Sequence, residues 1–533
     1  MSTLGLSATG AALDAVDRHV PTLVEDRFAS RLAAEDPTLW GPAAEEESST
    51  RLGWIDAVAR SRPLLPQISE LAETLRGEGV DRVVLAGMGG SSLAPEVIAG
   101  TAGKELTVLD STDPDQVRAA LTDLDRTVLV VSSKSGSTAE TDSQRRIMAE
   151  AFTAAGIDAA SRIVVVTDPG SPLEQTAVEA GYRAVFTADP TVGGRYSALT
   201  AFGLVPAGLA GVDVETLLDD AESVLDLLTE DDEDNPGLQL GAALGGTLPL
   251  RDKLIVSDAG SGIVGFGDWA EQLIAESTGK QGVGLVPVVV DDGAPETSSD
   301  AADLLQVVLA GDLDGVAAPA HGVVVSGSLG ALLLVFEVAT AVAGRLLGIN
   351  PFDQPDVEAA KAAARELLDS PVVAEERGDE VEGIAVSGLP ADADAGSLTD
   401  VLRATLGLLP EDGYLTVQAY MDRHADADLE VLRPVLAQAA ARPVTFGWGP
   451  RFLHSTGQLH KGGRPNAVVL QLTADAAADL DVPERPFTLR RLIAAQASGD
   501  AAVLADHGLP VVRLHLTDHA AGIAALRAAA DAL

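Results

Sequence analysis

From Arg82 onward the chain repeats one pattern: a short apolar, valine-rich run, a polar or glycine-rich loop, then a helical stretch. The runs are Val83–Ala86, Leu106–Leu109, Val128–Val131, Ile163–Thr167 and Ala184–Phe186. Short apolar runs bounded by turn signals read as buried strands. Strands that alternate with helices pair in parallel through crossover connections. The pattern therefore predicts an α/β fold on a doubly wound parallel sheet. The loops that end the runs are GMGGSS, DSTDPD, SSKSGST and TDPGSP. In open α/β sheets ligands bind beyond the carboxyl ends of the strands, which is where these loops fall.

A second α/β pattern follows an acidic loop at Glu230–Asp234: Lys253–Val256, a helix from about Asp268, Leu285–Val290, Gly322–Val325, and a long helix from about Ser328 to Leu347. Residues 1–75 read as a helical segment, 76–230 and 236–370 as two α/β domains, and 400–533 as a further α/β region after a soft boundary at Ala391–Ser397. A chain of 533 residues is expected to divide in this way. The apolar stretch Leu329–Phe336, ended by Glu337, is too short to span a bilayer and is read as part of a buried helix.

The chain has 36 Lys+Arg against 80 Asp+Glu, a net charge of −44, which argues against a nucleic-acid partner. It has no cysteine, so disulfides, thiolate metal sites and a cysteine nucleophile are excluded. The N-terminal residues lack a basic segment followed by an apolar run, so no signal peptide and a cytoplasmic location are expected, with no membrane partner. Four of the six lysines lie inside distinctive motifs: SKSGST, ESTGK, FDQPDVEAAK and GQLHKGG. Against so acidic a background, a lysine in a motif points to a specific anion.

Ser132–Thr141 (SSKSGSTAET) carries the chemistry of a phosphate cradle: hydroxyls and free backbone N–H groups at a helix start, with the helix dipole favouring an anion. A capped turn would place serines and threonines similarly. Gly87–Ser92 is a second loop of this kind, or a tight strand-to-helix turn; Asp110 alone does not make it a dinucleotide site. Arg195, after two glycines, is suited to stabilise a developing oxyanion, or to bridge a domain junction. Glu276, near a helix end capped by Gly279, is a candidate general base if it faces a cleft. Gln354 lies at a turn, and Lys361 seven residues on, two helical turns along one face.

Taken in order, GMGGSS, SKSGSTAET, GGRYS, QLIAESTGK and NPFDQPDVEAAK resemble the signatures of the glucose-6-phosphate isomerase family, from about residue 80 to about 365. The resemblance implies two sugar isomerase (SIS) domains of flavodoxin-like type and an aldose–ketose isomerase of glycolysis and gluconeogenesis, working without a cofactor or metal as a homodimer. It implies that Ser133, Ser135 and Thr138 hold the phosphate with Lys134 beside them, and that Gly90 and Ser91 line the same pocket. Glu276 would move the proton through a cis-enediol, Arg195 would stabilise it, Gln354 would bind substrate, and Lys361 would assist ring opening. A related enzyme that also isomerises mannose 6-phosphate, and a non-catalytic sugar-phosphate sensor on the same fold, are the alternatives.

One departure matters. The family uses a histidine in the segment after the glutamate motif for ring opening, and residues 281–320 contain none. His454 in HSTGQ is the expected replacement, with His460 the second candidate and a structural loop the bland alternative. The region around GPRFLHSTGQLHKGG also resembles the tail of bacterial transaldolase/glucose-6-phosphate isomerase fusions. Only residues 1–86 precede the first motif, so no transaldolase activity is expected.

Overall fold

The computed structural model describes residues 4–369, 378–393 and 395–533, and for 357–361 and 369 the backbone alone. The chain opens with strand β1 (Gly5–Thr9), followed by a helical stretch. Five strands come next: β2 (Arg82–Gly87), β3 (Thr107–Leu109), β4 (Thr127–Ser132), β5 (Ile163–Thr167) and β6 (Ala184–Thr187). They form one all-parallel sheet in the order β3-β2-β4-β5-β6. All six residues of β4 are buried, as a strand covered by helices on both faces requires.

The second sheet holds β7 (Lys253–Ala259), β8 (Val286–Val289), β9 (Leu304–Ala310) and β10 (Gly322–Ser326), in the order β1-β10-β9-β7-β8. Its edge strand β1 runs antiparallel to β10, pairing Gly5 with Ser326. Residues 1–75, expected as a mostly helical segment, also supply a strand not foreseen there, because β1 completes the second sheet. The third sheet holds β11 (Asp379–Val381), β12 (Ile384–Ser387), β13 (Tyr414–Tyr420), β14 (Val444–Trp448), β15 (Ala467–Ala474) and β16 (Val511–Leu516), in the order β11-β12-β16-β15-β13-β14. Its first two strands lie before residue 400, so this unit begins earlier than the composition shift suggests.

Six helices matter for the site: α1 (Leu93–Thr101), α2 (Ala139–Ala154), α3 (Phe266–Thr278), α4 (Leu329–Leu347), α5 (Val357–Asp369) and α6 (Leu489–Asp506). Helix α4 spans the stretch expected of it and carries Glu337 within it. It is long and apolar enough to cross a membrane, yet 89% of its most apolar window is buried inside the protein. Its glutamate is carried within the core, where burial pushes the carboxyl well above its usual range.

The apolar clusters cross between units. One packs Ile147 and Leu173 beside the first sheet against Val482, Leu489 and Leu492 of the third. Another packs Ile255 and Val288 of the second sheet against Tyr414, Leu459 and Val469 of the third. The third unit is therefore seated on both of the others.

Candidate active site

The first sheet reverses its winding between β2 and β4, so a cleft opens beyond their carboxyl ends. The loops that leave these two strands, Met88–Ser92 and Ser133–Thr138, line a cavity of about 570 Å³. Backbone geometry explains the glycines. A Cβ on Gly90 would sit 1.9 Å from the carbonyl oxygen of Gly194, so this glycine lets two loops touch. Gly136 has φ +69°, and a Cβ there would meet Leu173 at 2.5 Å. The first glycine thus serves a contact between loops rather than an approach to a ligand.

Within the second loop, Ser133 Oγ lies 3.3 Å from Thr138 Oγ1 and accepts from the Gly136 N–H at 3.2 Å. Ser135 and Ser137 hydroxyls lie 2.8 Å apart. Helix α2 follows at once, and its first-turn N–H groups have no partners within the helix. Lys134 lines the cavity with its ammonium on Asp168 at 2.6 Å and on the Pro190 carbonyl at 3.2 Å. Arg51, from the N-terminal stretch, lines the same wall.

Arg195 and Glu276 face each other across the cavity floor. Arg195 is 4% exposed and Glu276 7%. One Arg195 nitrogen, Nη1, donates to Glu276 Oε1 at 3.1 Å and to Gln354 Oε1 at 3.3 Å. Nε donates to Ser277 Oγ at 2.8 Å, and Nη2 to the carbonyls of Pro351 and Asp353 at 2.8 and 3.0 Å. Tyr196, the next residue, stacks on Trp54 at 5.0 Å and packs on Phe352 at 5.4 Å, which backs the arginine with apolar surface. Lys280 donates to the carbonyl and carboxylate of Asp353 at 2.6 and 2.8 Å, so it braces the turn that presents Gln354. Burial, with Arg195 nearby, pulls this ammonium down to about 8.

The other oxygen of Glu276 accepts from Gln272 Nε2 at 3.0 Å. The same amide donates to the main-chain oxygen of His454 at 2.7 Å. His454 comes from the third unit, on the turn Arg451–His454, and lines the cavity. Its Nε2 lies 3.0 Å from Glu140 Oε1, and Gln496 donates to that oxygen at 2.7 Å. A carboxylate on one ring nitrogen fixes the orientation of the imidazole at the cavity wall.

His460 is placed elsewhere. Its ring is buried, with Nδ1 2.9 Å from the Tyr414 hydroxyl, and it does not line the cavity. Burial, with Lys461 adjacent, drives the imidazole down to about 3. The structure thus gives His460 a buried partner in place of the cavity position expected of a ring-opening group. Lys361 lies outside the described side chains. Gly90, Ser91, Ser133, Lys134, Ser135, Thr138, Arg195, Glu276, Gln354 and His454 all line the one cavity. Sequence reasoning missed Gln272, Glu140, Gln496, Ser137 and Arg51. Glu140 and Ser137 lie inside a motif already singled out, so the motif signal was present; Arg51 and Gln496 carry none.

A family model described as phosphoglucose isomerase matches residues 56–241. A glucose-6-phosphate isomerase of Rubrobacter xylanophilus is 30% identical over 381 residues, 57% of this chain and 86% of that one. One from Thermosynechococcus vestitus is 31% identical over 414 residues, 64% of this chain and 75% of the relative. Among solved structures, a hypothetical protein from Thermus thermophilus superposes with a TM-score of 0.59 at 26% identity, covering 69% of this chain and all of its own. Relatives matched at this identity over most of their own length show that the chain belongs to the glucose-6-phosphate isomerase (phosphoglucose isomerase) family.

Proposed function

We propose that this protein interconverts glucose 6-phosphate and fructose 6-phosphate by proton transfer through a cis-enediol. The observation that carries the reading is the pairing of Glu276 with Arg195 in one cavity with the Ser133–Thr138 loop. An aldose–ketose isomerase needs a phosphate anchor, a shielded base and a positive group at the developing oxyanion, and these are the parts that converge here.

The loop Ser133–Thr138 and the first turn of α2 hold the phosphate, with the helix dipole aiding. Glu276, shielded from water, takes the proton from C2 of the aldose and returns it to C1 of the enediol; the reverse reaction runs from C1 to C2. Arg195 stabilises negative charge on the enediolate oxygens, because a guanidinium stays charged and its donors are already oriented. Gln272 holds the base at its second oxygen, and Gln354 contributes a polar contact to the sugar. His454, oriented by Glu140, moves the proton that opens the hexose ring. Lys361 is assigned to the same step on its motif alone.

Conversion of fructose 6-phosphate to glucose 6-phosphate by the purified protein tests the reading, with His454→Ala beside it and mannose 6-phosphate as a second substrate. Turnover by the wild type, slowed in the variant, is the expected result. Turnover of mannose 6-phosphate would widen the specificity to both epimers. Sugar-phosphate binding without turnover would make this a sensor on an enzyme's fold.

A further inference from the structure

Four charged side chains join the first and third units beside the cavity without lining it. Arg423 lies just past the end of β13 and Arg451 just past the end of β14; both reach Glu96 on α1 and Asp110 at the end of β3. Arg451 donates through Nη2 to Glu96 Oε2 at 2.6 Å and through Nη1 to Asp110. Arg423 donates through Nη2 to Glu96 Oε1 at 2.7 Å, and its Nε lies 3.3 Å from Asp110 Oδ1. The Asp110 side chain is 0% exposed and that of Arg451 11%.

The two arginines differ in what they hold. Arg451 opens the single turn that ends in His454, whereas Arg423 lies on a separate loop. The turn is pinned at its first residue by the carboxylates of the first unit. At its last residue it is pinned by Gln272 on the main chain and by Glu140 on the ring. A guanidinium spanning two carboxylates fixes orientation as well as charge, which an ammonium cannot do.

We propose that Arg451 is a positioning residue for His454, its contacts with Glu96 and Asp110 setting the turn so that the imidazole meets Glu140 at the cavity wall. The inference rests on the ring-opening reading of His454. It assigns the third unit a part in the chemistry: that unit supplies the histidine within the same chain, and the contacts of Arg451 with Glu96 and Asp110 hold it in register.

The test is a kinetic cycle on fructose 6-phosphate with R451M, R423M, H454A and R451M/H454A, each with its melting temperature. A displaced group of this kind costs up to about 100-fold in rate, so R451M is expected to lower kcat by roughly 10- to 100-fold with KM within about twofold. R423M is expected to lose similar thermal stability while keeping kcat within about threefold, and R451M to add less than about twofold to H454A, since it acts through a group already removed. Losses that multiply in the double variant, or R423M as slow as R451M, overturn the proposal alone. H454A at the wild-type rate overturns the histidine's assignment and the proposal with it. If R451M does not fold, R451K, which keeps the charge but not the fork, carries the same comparison, with a smaller kcat loss expected and none beyond that of H454A.

Discussion

Arg195 makes five hydrogen bonds to five different residues, and this number explains why an arginine and no other cation occupies the position. Its fork ties Glu276, Gln354 and two carbonyls of the 351–353 turn into one unit, so the charge is already oriented in the cavity. The two histidines of the GPRFLHSTGQLHKGG segment show how surroundings divide roles between identical side chains. His454 is 16% exposed and paired with a carboxylate at the cavity. His460 is sealed against Tyr414 with its imidazole at about 3. Its folded value lies below that of the unfolded chain, so the unfolded state takes up a proton first as the pH falls. The resulting loss of stability begins near pH 6.5 and extends down to about 3. His460→Ala is expected to leave turnover intact and to lower stability by about 1–3 kcal/mol at pH 7, because it orphans the buried Tyr414 hydroxyl. It should also flatten stability between pH 6.5 and 3. Urea melts across that range, alongside the isomerase assay, check both; a loss of turnover without a loss of stability would contradict this division of roles.

At the scale of elements, the site depends on loops leaving adjacent strands at a reversal of winding, and on how closely those loops approach. Gly90→Ala would force a methyl into the carbonyl of Gly194, which can move only by carrying Arg195 with it. The expected outcome is a fall in kcat of at least 10-fold with a folded protein, read by kinetics and circular dichroism; unchanged kcat would mean the loops are not coupled. The central strands β2, β4 and β5 were legible because each is a valine-rich run closed by a turn, a pattern set by burial on both faces, and the edge strands β3 and β6 as shorter apolar runs between helices. The edge strand β1 (GLSAT) was not, since an antiparallel edge needs no continuous apolar run and its residues are all partly exposed. Strand β9 (LLQVVLA) had the right composition but lay in a stretch read only for its missing histidine. Glu276, Arg195 and the Ser133–Thr138 loop were legible as local motifs, and the structure brings them to one cavity. The partner of His454 was not, because Glu140 lies 314 residues away and only the docking of the third unit brings the two together.

Across the whole molecule, each of the three units winds its first four parallel strands alike: the second strand lies outside the first, and the third and fourth follow on the other side. The first and second units provide the Ser133–Thr138 loop, Arg195 and Glu276, and the third covers the cavity and carries His454. These parts are held together in a chain of net charge −44, so like-charge repulsion opposes the compact state. Salt shortens the screening length from about 10 Å at 0.1 M to about 3 Å at 1 M, and the melting temperature is expected to rise over that range. A melting temperature independent of salt would contradict this. The central claim is that the assembled cavity moves a carbon-bound proton through Glu276. The most direct measurement is exchange of the C1 proton of fructose 6-phosphate with solvent deuterium, followed by NMR, for the wild type and Glu276→Gln. Washout by the wild type, slowed by roughly 10²- to 10⁴-fold in the variant, is predicted. Washout at the wild-type rate in Glu276→Gln would contradict it.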